Sequence, residues 1–494
     1  MNRTLALLAA AACWTSAAPA QESMLREKLP PPPSFAPTTI ALRPAAAPVP
    51  ALRYRLVPER RSLGPGNAAV LYHRAILLAG ARRTALAGAT PEAPGSVRAS
   101  ADKNLSDWSN LPIAEVPRGP AAQLLAQFET ALKEVELGAS RASCDWGLDR
   151  RAEGINLLIP EIQEVRFLGH LVTLKARLAA LDGKTDEAMH WLQVGLTLGR
   201  HVGDGPTLIQ ALVGVAIDSV MLKAAEELIQ APGTPSLYWA FADRPRPFID
   251  LRPAMEGERA MLETELPGLL ALDRGVWGLD EARKFADELQ AKLESFAGTA
   301  RSSPRLGRQL AVAAACAKSY PAARRALIAG GRPAEVVDAM PVVQVAALHA
   351  YGEYSRARDE AYKWVNVPYW QSRGRVDDAL AATPQGKLDD PLLATFRLLM
   401  PALNSVRLAT LRLDRRLDAL QCIEAIRLHA AAHGGKLPAT LEEIVDAPTP
   451  LDIATGKPFT YKLDGDSATL AGPVPPGGPD HPTYAINYLL KLAR

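Results

Sequence analysis

Residues 206–229, PTLIQALVGVAIDSVMLKAAEELI, decide how the rest of the chain is read. Pro206 opens the stretch, and from 208 to 229 apolar residues fall nearly all round a helical wheel instead of along one stripe. A helix of that kind belongs at the centre of a bundle. Its most apolar segment, Leu208 to Leu222, carries Gln210 and Asp218 and falls short of the about 20 residues a helix needs to cross a bilayer core. The expectation is a central core helix with others packed round it.

Helical signals continue in both directions. Upstream, Asn67 is placed to cap a helix running through His73, Leu77 and Leu78 toward Arg83. Pro120 opens another, with Leu124, Leu125, Phe128, Leu132 and Val135 at helical spacing. Pro160 sits in the first turn of a third, whose stripe is Ile162, Val165, Leu168, Val172 and Leu178, with Gly183 at its end. Thr185 caps a fourth, and Asp186 and Glu187 suit the positive end of its dipole. Downstream, helices are expected at 253–266, 279–298, 306–330 and 333–365, divided or kinked at Pro321 and Pro341. A loop at 368–390 precedes a long helix at 401–433, which Gly434-Gly435 stops. The pattern then changes to a short helix at 440–445 and two strands, 459–463 and 468–470. Asp464-Gly465 makes a type I′-like turn between them.

The fold class expected is mainly α: an irregular helical-hairpin array, solenoid- or bundle-like, with a small C-terminal α+β module. The pair 160–202 resembles a tetratricopeptide hairpin at Ala176, Ala188, Leu192 and Gly195. Lys175 and Arg200 depart from that pattern, and no repeat period recurs along the chain.

Composition bounds the function. Of 494 residues, 48% are hydrophobic and 22% charged, which supplies a core and excludes a wholly disordered chain. A net charge of +3 over that length makes no field for nucleic acid. Asn2 and Arg3, the apolar run 5–13 and Ala18-Pro19-Ala20 read as an export signal cleaved before Gln21. The alternative is a lipoprotein signal with Cys13 lipidated. No transmembrane helix is expected after cleavage. Cys144, Cys316 and Cys422 remain, too few for a disulfide framework, though one bridge among them stays open. Cys316 and Cys422 read as small core residues on helices. Eight prolines lie within residues 30–50, and such a tract reads as a stiff polyproline spacer. The expected layout is a signal peptide at 1–20, a proline-rich linker at 21–66 and a helical domain at 67–400. A long helix with its hairpin module fills 401–494.

No catalytic, cofactor or metal set is assigned. His429 and His433 share a helix face, but the glutamate of an H-E-x-x-H protease is missing. His190 and His201 also lie roughly on one helix side, with no cysteine or carboxylate to complete a set. Cys144-Asp145-Trp146 offers a thiol that becomes a nucleophile only beside a histidine. With no such partner, Asp145 caps a helix and Trp146 fills the core. Glu256, Glu258, Arg259, Glu263 and Glu265 share a polar helix, where paired carboxylates could hydrolyse glycosides or simply meet solvent. The site candidates are therefore Cys144, Asp145, Trp146, Glu258 and Arg259. Two readings follow: an exported, non-enzymatic scaffold binding an envelope protein or polymer, or an envelope hydrolase centred near Cys144 or Glu258.

Two resemblances add to this reading. Residues 429–461, ending in Asp452-Ile453-Ala454-Thr455-Gly456-Lys457-Pro458-Phe459-Thr460-Tyr461, resemble the C-terminal half of type II secretion pseudopilins. That family shares the long helix, the Gly-then-Pro break and this loop before a hairpin. The hydrophobic N-terminal pilin helix does not open the expected mature chain, so a pilin is not expected. Asp452, Asp464 and Asp466 invite comparison with the calcium loop of some pseudopilins, but calcium takes roughly six to eight oxygens and none is expected here. More broadly, the chain carries Cys144-Asp145-Trp146-Gly147, Leu158-Ile159-Pro160 and Gly205-Pro206-Thr207-Leu208-Ile209, then Leu212-Val213-Gly214-Val215-Ala216-Ile217. Asp338-Ala339-Met340-Pro341, Lys363-Trp364, Pro368-Tyr369 and Ile423-Glu424-Ala425-Ile426-Arg427 follow in order. In this the chain is similar to large exported proteins of planctomycete-type bacteria. That resemblance implies a helical envelope protein and no particular chemistry. Where the family has Asp-Pro, this chain has Asp452-Ile453.

Overall fold

The computed structural model of the protein describes residues 36–88, 105, 107–109, 111–148, 161–297, 305–381, 392, 403–478 and 481–493. The expected signal at 1–20, Cys13, the four-proline run 30–33, Pro160 and Pro401 lie outside the described residues.

The described chain opens with strand β1 (Thr38–Leu42), β2 (Gly64–Asn67) and helix α1 (Ala68–Gly88). Helices α2 (Arg118–Gln127) and α3 (Glu129–Ala139) precede β3 (Arg141–Ser143). Then come α4 (Glu161–Leu181), α5 (Thr185–Gly203), α6 (Leu208–Leu228) and the short α7 (Tyr238–Ala242). A second group holds α8 (Arg252–Glu265), α9 (Leu279–Ala297), α10 (Arg305–Ala329), α11 (Ala334–Ala339) and α12 (Val342–Tyr362). Short helices α13 (Tyr369–Ser372) and α14 (Arg375–Ala381) lead to the long α15 (Leu403–Ala432). Strands β4 (Leu451–Asp452), β5 (Lys457–Pro458), β6 (Thr460–Asp464), β7 (Ser467–Gly472) and β8 (Ile486–Leu492) end the described chain. The molecule is mainly α with a small α+β module at its C-terminal end.

Helix α6 packs against α4, α5 and α15, which is why it carries apolar residues on every side. Thr207 caps it by accepting from the Gln210 N–H at 3.1 Å. Gly195, Gly199 and Gly203 recur every fourth residue on α5, so α6 comes close along that face. A Cβ at Gly214 of α6 would lie 2.5 Å from the Gly199 carbonyl oxygen and the Gly203 Cα.

Several expectations are corrected at this level. The helix expected from Pro120 is two helices, broken at Phe128, whose buried ring meets Phe167 edge-on at 5.3 Å. Thr185 does not cap α5; Lys184 holds that position without a side-chain bond. The expected loop at 368–390 contains α13 and α14. The hairpin turn between β6 and β7 is Gly465-Asp466, with positive φ at Gly465 alone. That is the pattern of type II′, not I′.

The largest correction concerns the proline-rich tract. Its described part is folded into the body and is not an extended spacer. β1 lies parallel to β8, Thr38 opposite Tyr488 and Leu42 opposite Leu492, at the edge of a four-stranded sheet ordered β1-β8-β7-β6. Ile40 and Leu42 are fully buried. The tract continues across the helical core, where Ala45 N–H donates to the Arg427 carbonyl and Ser236 N–H to that of Ala46. A boundary at residue 400 does not divide the core either. Leu417, Leu420 and Ile423 of α15 share one cluster with Leu171 of α4, Leu196 of α5 and Leu490 of β8. A separate cluster, including Leu262, Trp277, Phe285, Cys316 and Tyr354, joins α8, α9, α10 and α12.

Buried charge joins the sheet module to α15. Arg415 donates to both oxygens of Asp452 at 2.8 and 2.7 Å and to the carbonyls of Tyr484 and Pro473. Asp452 also accepts from Ala454 N–H, and Gly456 takes a positive φ of 70°. An added Cβ there would meet the Trp370 ring at 2.7 Å, so glycine is needed for both turn and contact. Farther along, Arg427 donates to Glu424 and to the carbonyls of Arg43 and Thr234.

Candidate functional site

β2 and β3 pair in parallel, so Asn67 lies beside the Cys144-Asp145-Trp146 turn. The Asn67 amide accepts from Asp145 N–H at 2.8 Å and donates to the Asp145 carbonyl at 2.6 Å, while also capping α1 through Ala69 N–H. The Asp145 carboxylate accepts from Gly147 N–H, an Asx turn instead of the helix cap expected of it. Trp146 stacks on Tyr72 with centroids 5.7 Å apart and donates its indole N–H to the His201 carbonyl. Tyr72 in turn meets His201 Nδ1 at 2.8 Å. Burial lowers the His201 pKa to about 4, so the ring that faces the Tyr72 hydroxyl is neutral.

Cys144 is half-buried beside this aromatic group. Burial, with the Asp145 and Asp204 charges, pushes its thiol up to about 12, and the Ala69 backbone pulls the other way. A nucleophilic cysteine needs the opposite surroundings, a positive neighbour and a lowered pKa. No hydrogen bond joins Cys144 to a histidine among the described residues. The turn is held by hydrogen bonds and ring stacking. Cys144, Cys316 and Cys422 are all free thiols, and the last two are buried as expected.

Glu258 stands on α8 with one oxygen 3.0 Å from the Leu208 N–H, at the first turn of α6. A carboxylate there suits the unpaired N–H groups and positive end of the helix. Burial raises the Glu258 pKa and this backbone bond opposes the rise. Arg259 lies on another face of α8, paired with Asp359 of α12 at 2.6 Å. The expected solvated acidic face is not continuous. Glu256 is exposed, Glu263 accepts from the Tyr351 hydroxyl, and Glu265 is buried against Lys292.

Two residues that sequence reasoning passed over lie on α12, and one of them, Tyr362, is near Glu258. The Tyr362 hydroxyl and Arg358 Nη1, both on α12, are buried without a hydrogen-bond partner. The Glu258 charge reaches Tyr362 and Tyr354, whose hydroxyl burial pushes up to about 12. Tyr351, Tyr354, Arg358 and Tyr362 follow helical spacing, a signal that does not separate a polar interface from a site. Cys144 and Glu258 do not meet. Asp204 acts on Cys144, and Glu258 binds Leu208, so both border the α5–α6 turn from separate groups.

A surface groove of about 680 Å³ has a lining that includes Pro48, Val49, Arg53, Tyr54, Lys184 and Asp186. Arg53 clamps both Asp186 oxygens at 3.0 and 2.9 Å, and the Tyr54 hydroxyl donates to the same carboxylate at 2.6 Å. The Tyr54 bond and the Arg53 guanidinium hold the Asp186 carboxyl below its ordinary range. Val49 is 90% exposed at the groove's edge. The histidines noted above are otherwise engaged: His190 meets Glu136 at 2.7 Å, and the His429 and His433 rings stack 3.9 Å apart. Among the described residues no group of three or more His, Cys, Asp or Glu side chains is arranged to hold a metal ion. Compared with known proteins, the chain matches no family model, no curated protein and no solved structure.

Proposed function

We propose that this chain is an exported, non-enzymatic scaffold of the cell envelope that holds a protein or polymer partner on its helical body. The observation that carries the reading is where the candidate reactive groups are spent. Cys144 keeps its proton inside a hydrogen-bonded turn, and Glu258 caps α6. The open groove bordered by Val49, Tyr54 and Asp186 offers apolar edges and paired charges to a partner. Export and the envelope setting rest on the N-terminal signal pattern and on the two sequence resemblances.

A photo-crosslinking residue at Val49, in the full chain expressed with its signal, tests the proposal. The expected result is one envelope component captured from Val49 and not from exposed Val445. Equal capture at both positions, or none from Val49, contradicts it. One observation favours the second reading, an envelope hydrolase at Glu258: a carboxyl of raised pKa lies near the unpartnered Tyr362 hydroxyl. Hydrolysis of envelope polymer by the purified chain, lost in Glu258→Gln with the fold retained, would establish that reading instead.

A further inference from the structure

The centre of the molecule holds a carboxylate that the proposed function does not use. Asp218 lies halfway along α6, fully buried, and neither of its oxygens has a hydrogen-bond partner. It is pressed onto Gly199 of α5 so closely that a Cβ there would fall 2.0 Å from Asp218 Oδ1. The charged groups around it are already engaged. On α5, Arg200 donates to the Phe248 carbonyl and to Asp204, and Asp204 accepts from Asp250 N–H. On α15, Asp414 accepts from Phe248 N–H at 3.0 Å, and Asp418 pairs with Arg244. In the segment between α7 and α8, Arg244 and Arg246 both donate to Gln421.

We propose that Asp218 and Asp414 form a proton-dependent latch on α6, closed while they hold protons and loosened along the Gly199–Gly214 seam when they ionise. An ionised carboxylate without a donor is costly in an apolar interior, and here the nearest space is filled by α5 backbone. Ionisation therefore forces the seam to admit water or the helices to separate.

The direction of the titrations agrees. Burial raises Asp218 well above the carboxylate range; Arg200 opposes this, and Asp204 and Asp414 add to it. Burial likewise pushes Asp414 up to about 7, the Phe248 N–H opposing and Asp418 adding. A carboxyl raised in the folded state contributes stability that is lost as pH rises through its folded pKa. Buried His170 and His201, both lowered to about 4, act in the opposite sense below about pH 6.5. Raised thiols and tyrosines act only at more alkaline pH. Asp204, Asp418 and Glu258, also raised by burial, act in the same sense as the latch, so its contribution is the difference between the parent chain and the Asp218 and Asp414 variants between about pH 6.5 and 8.5.

The test compares the full chain with Asp218→Asn and Asp414→Asn across that window, by thermal unfolding and by hydrogen exchange corrected for intrinsic rates. The parent chain should lose at least ~3 °C in Tm toward the alkaline end. Amides of α5 and α6 at the seam should exchange at least ~10-fold faster there. Each variant should flatten both trends. A parent chain insensitive to pH, or variants that keep its full slope, overturns the latch. Should Asp218→Asn fail to fold, an unchanged slope in Asp414→Asn overturns it alone.

Discussion

Arg415 uses one guanidinium to hold three separate parts of the C-terminal module: the Asp452 loop, the Pro473 carbonyl and the Tyr484 carbonyl. Both members of the Arg415–Asp452 pair are almost fully buried, so removing either leaves the other charged and dry. Arg415→Ala should cost about 3–5 kcal/mol in urea unfolding, because an unpaired buried charge is penalised more than the intact pair stabilises. Asp452→Ala should cost a similar amount, and the double variant less than the two together. The Asp452-to-Tyr461 motif is legible as a turn-rich loop, but its partner is not. Arg415 and Arg416 are neighbours in the sequence, yet one binds the loop and the other binds Glu226. No local pattern distinguishes them. Cys144 and Glu258 are legible as chemistry-bearing residues for the same reason that they mislead: thiols and carboxylates look alike whether they react or hold a turn.

At the scale of elements, the α5–α6 seam is set by glycines and not by complementary side chains. Gly214→Ala would place a methyl against α5 backbone, which cannot swing aside, and should destabilise the protein by about 1–3 kcal/mol. Gly80 of α1 provides the internal control, since nothing lies within 4 Å of a Cβ there. Gly80→Ala should stabilise by about 0.5–1 kcal/mol through helix propensity. Chemical denaturation of the two variants checks both signs. The helices were legible because their apolar spacing and their Pro and Gly punctuation are local. Strand β1 was not: Thr38-Thr39-Ile40-Ala41-Leu42 sits between prolines, and its strand partner among the described residues, β8, lies at the opposite end of the chain. Pairing of that kind is a tertiary fact.

For the whole molecule, the N-terminal tract and the last strand close one sheet against a helical core. Leu42→Ala should therefore cost about 2–5 kcal/mol, as for other fully buried leucines. A free spacer at 36–66 would show no change in unfolding midpoint. The sequence also suggested a division at residue 400, but α15 shares its core with α4, α5 and β8, and the second cluster gathers around α8 to α12. Chain order concealed this because α15 follows the helices of the second cluster in sequence but packs into the first.

The functional claim is that the chain works through its groove and not through Cys144 or Glu258. Its most direct test is crosslinked co-isolation from the envelope fraction with the parent chain, a Cys144→Ala/Glu258→Gln variant and a Tyr54→Ala/Asp186→Ala variant, each shown to be folded. The Cys144/Glu258 variant should retain the captured component and the groove variant should lose it. Loss of the component with the first variant and retention with the second would contradict the claim.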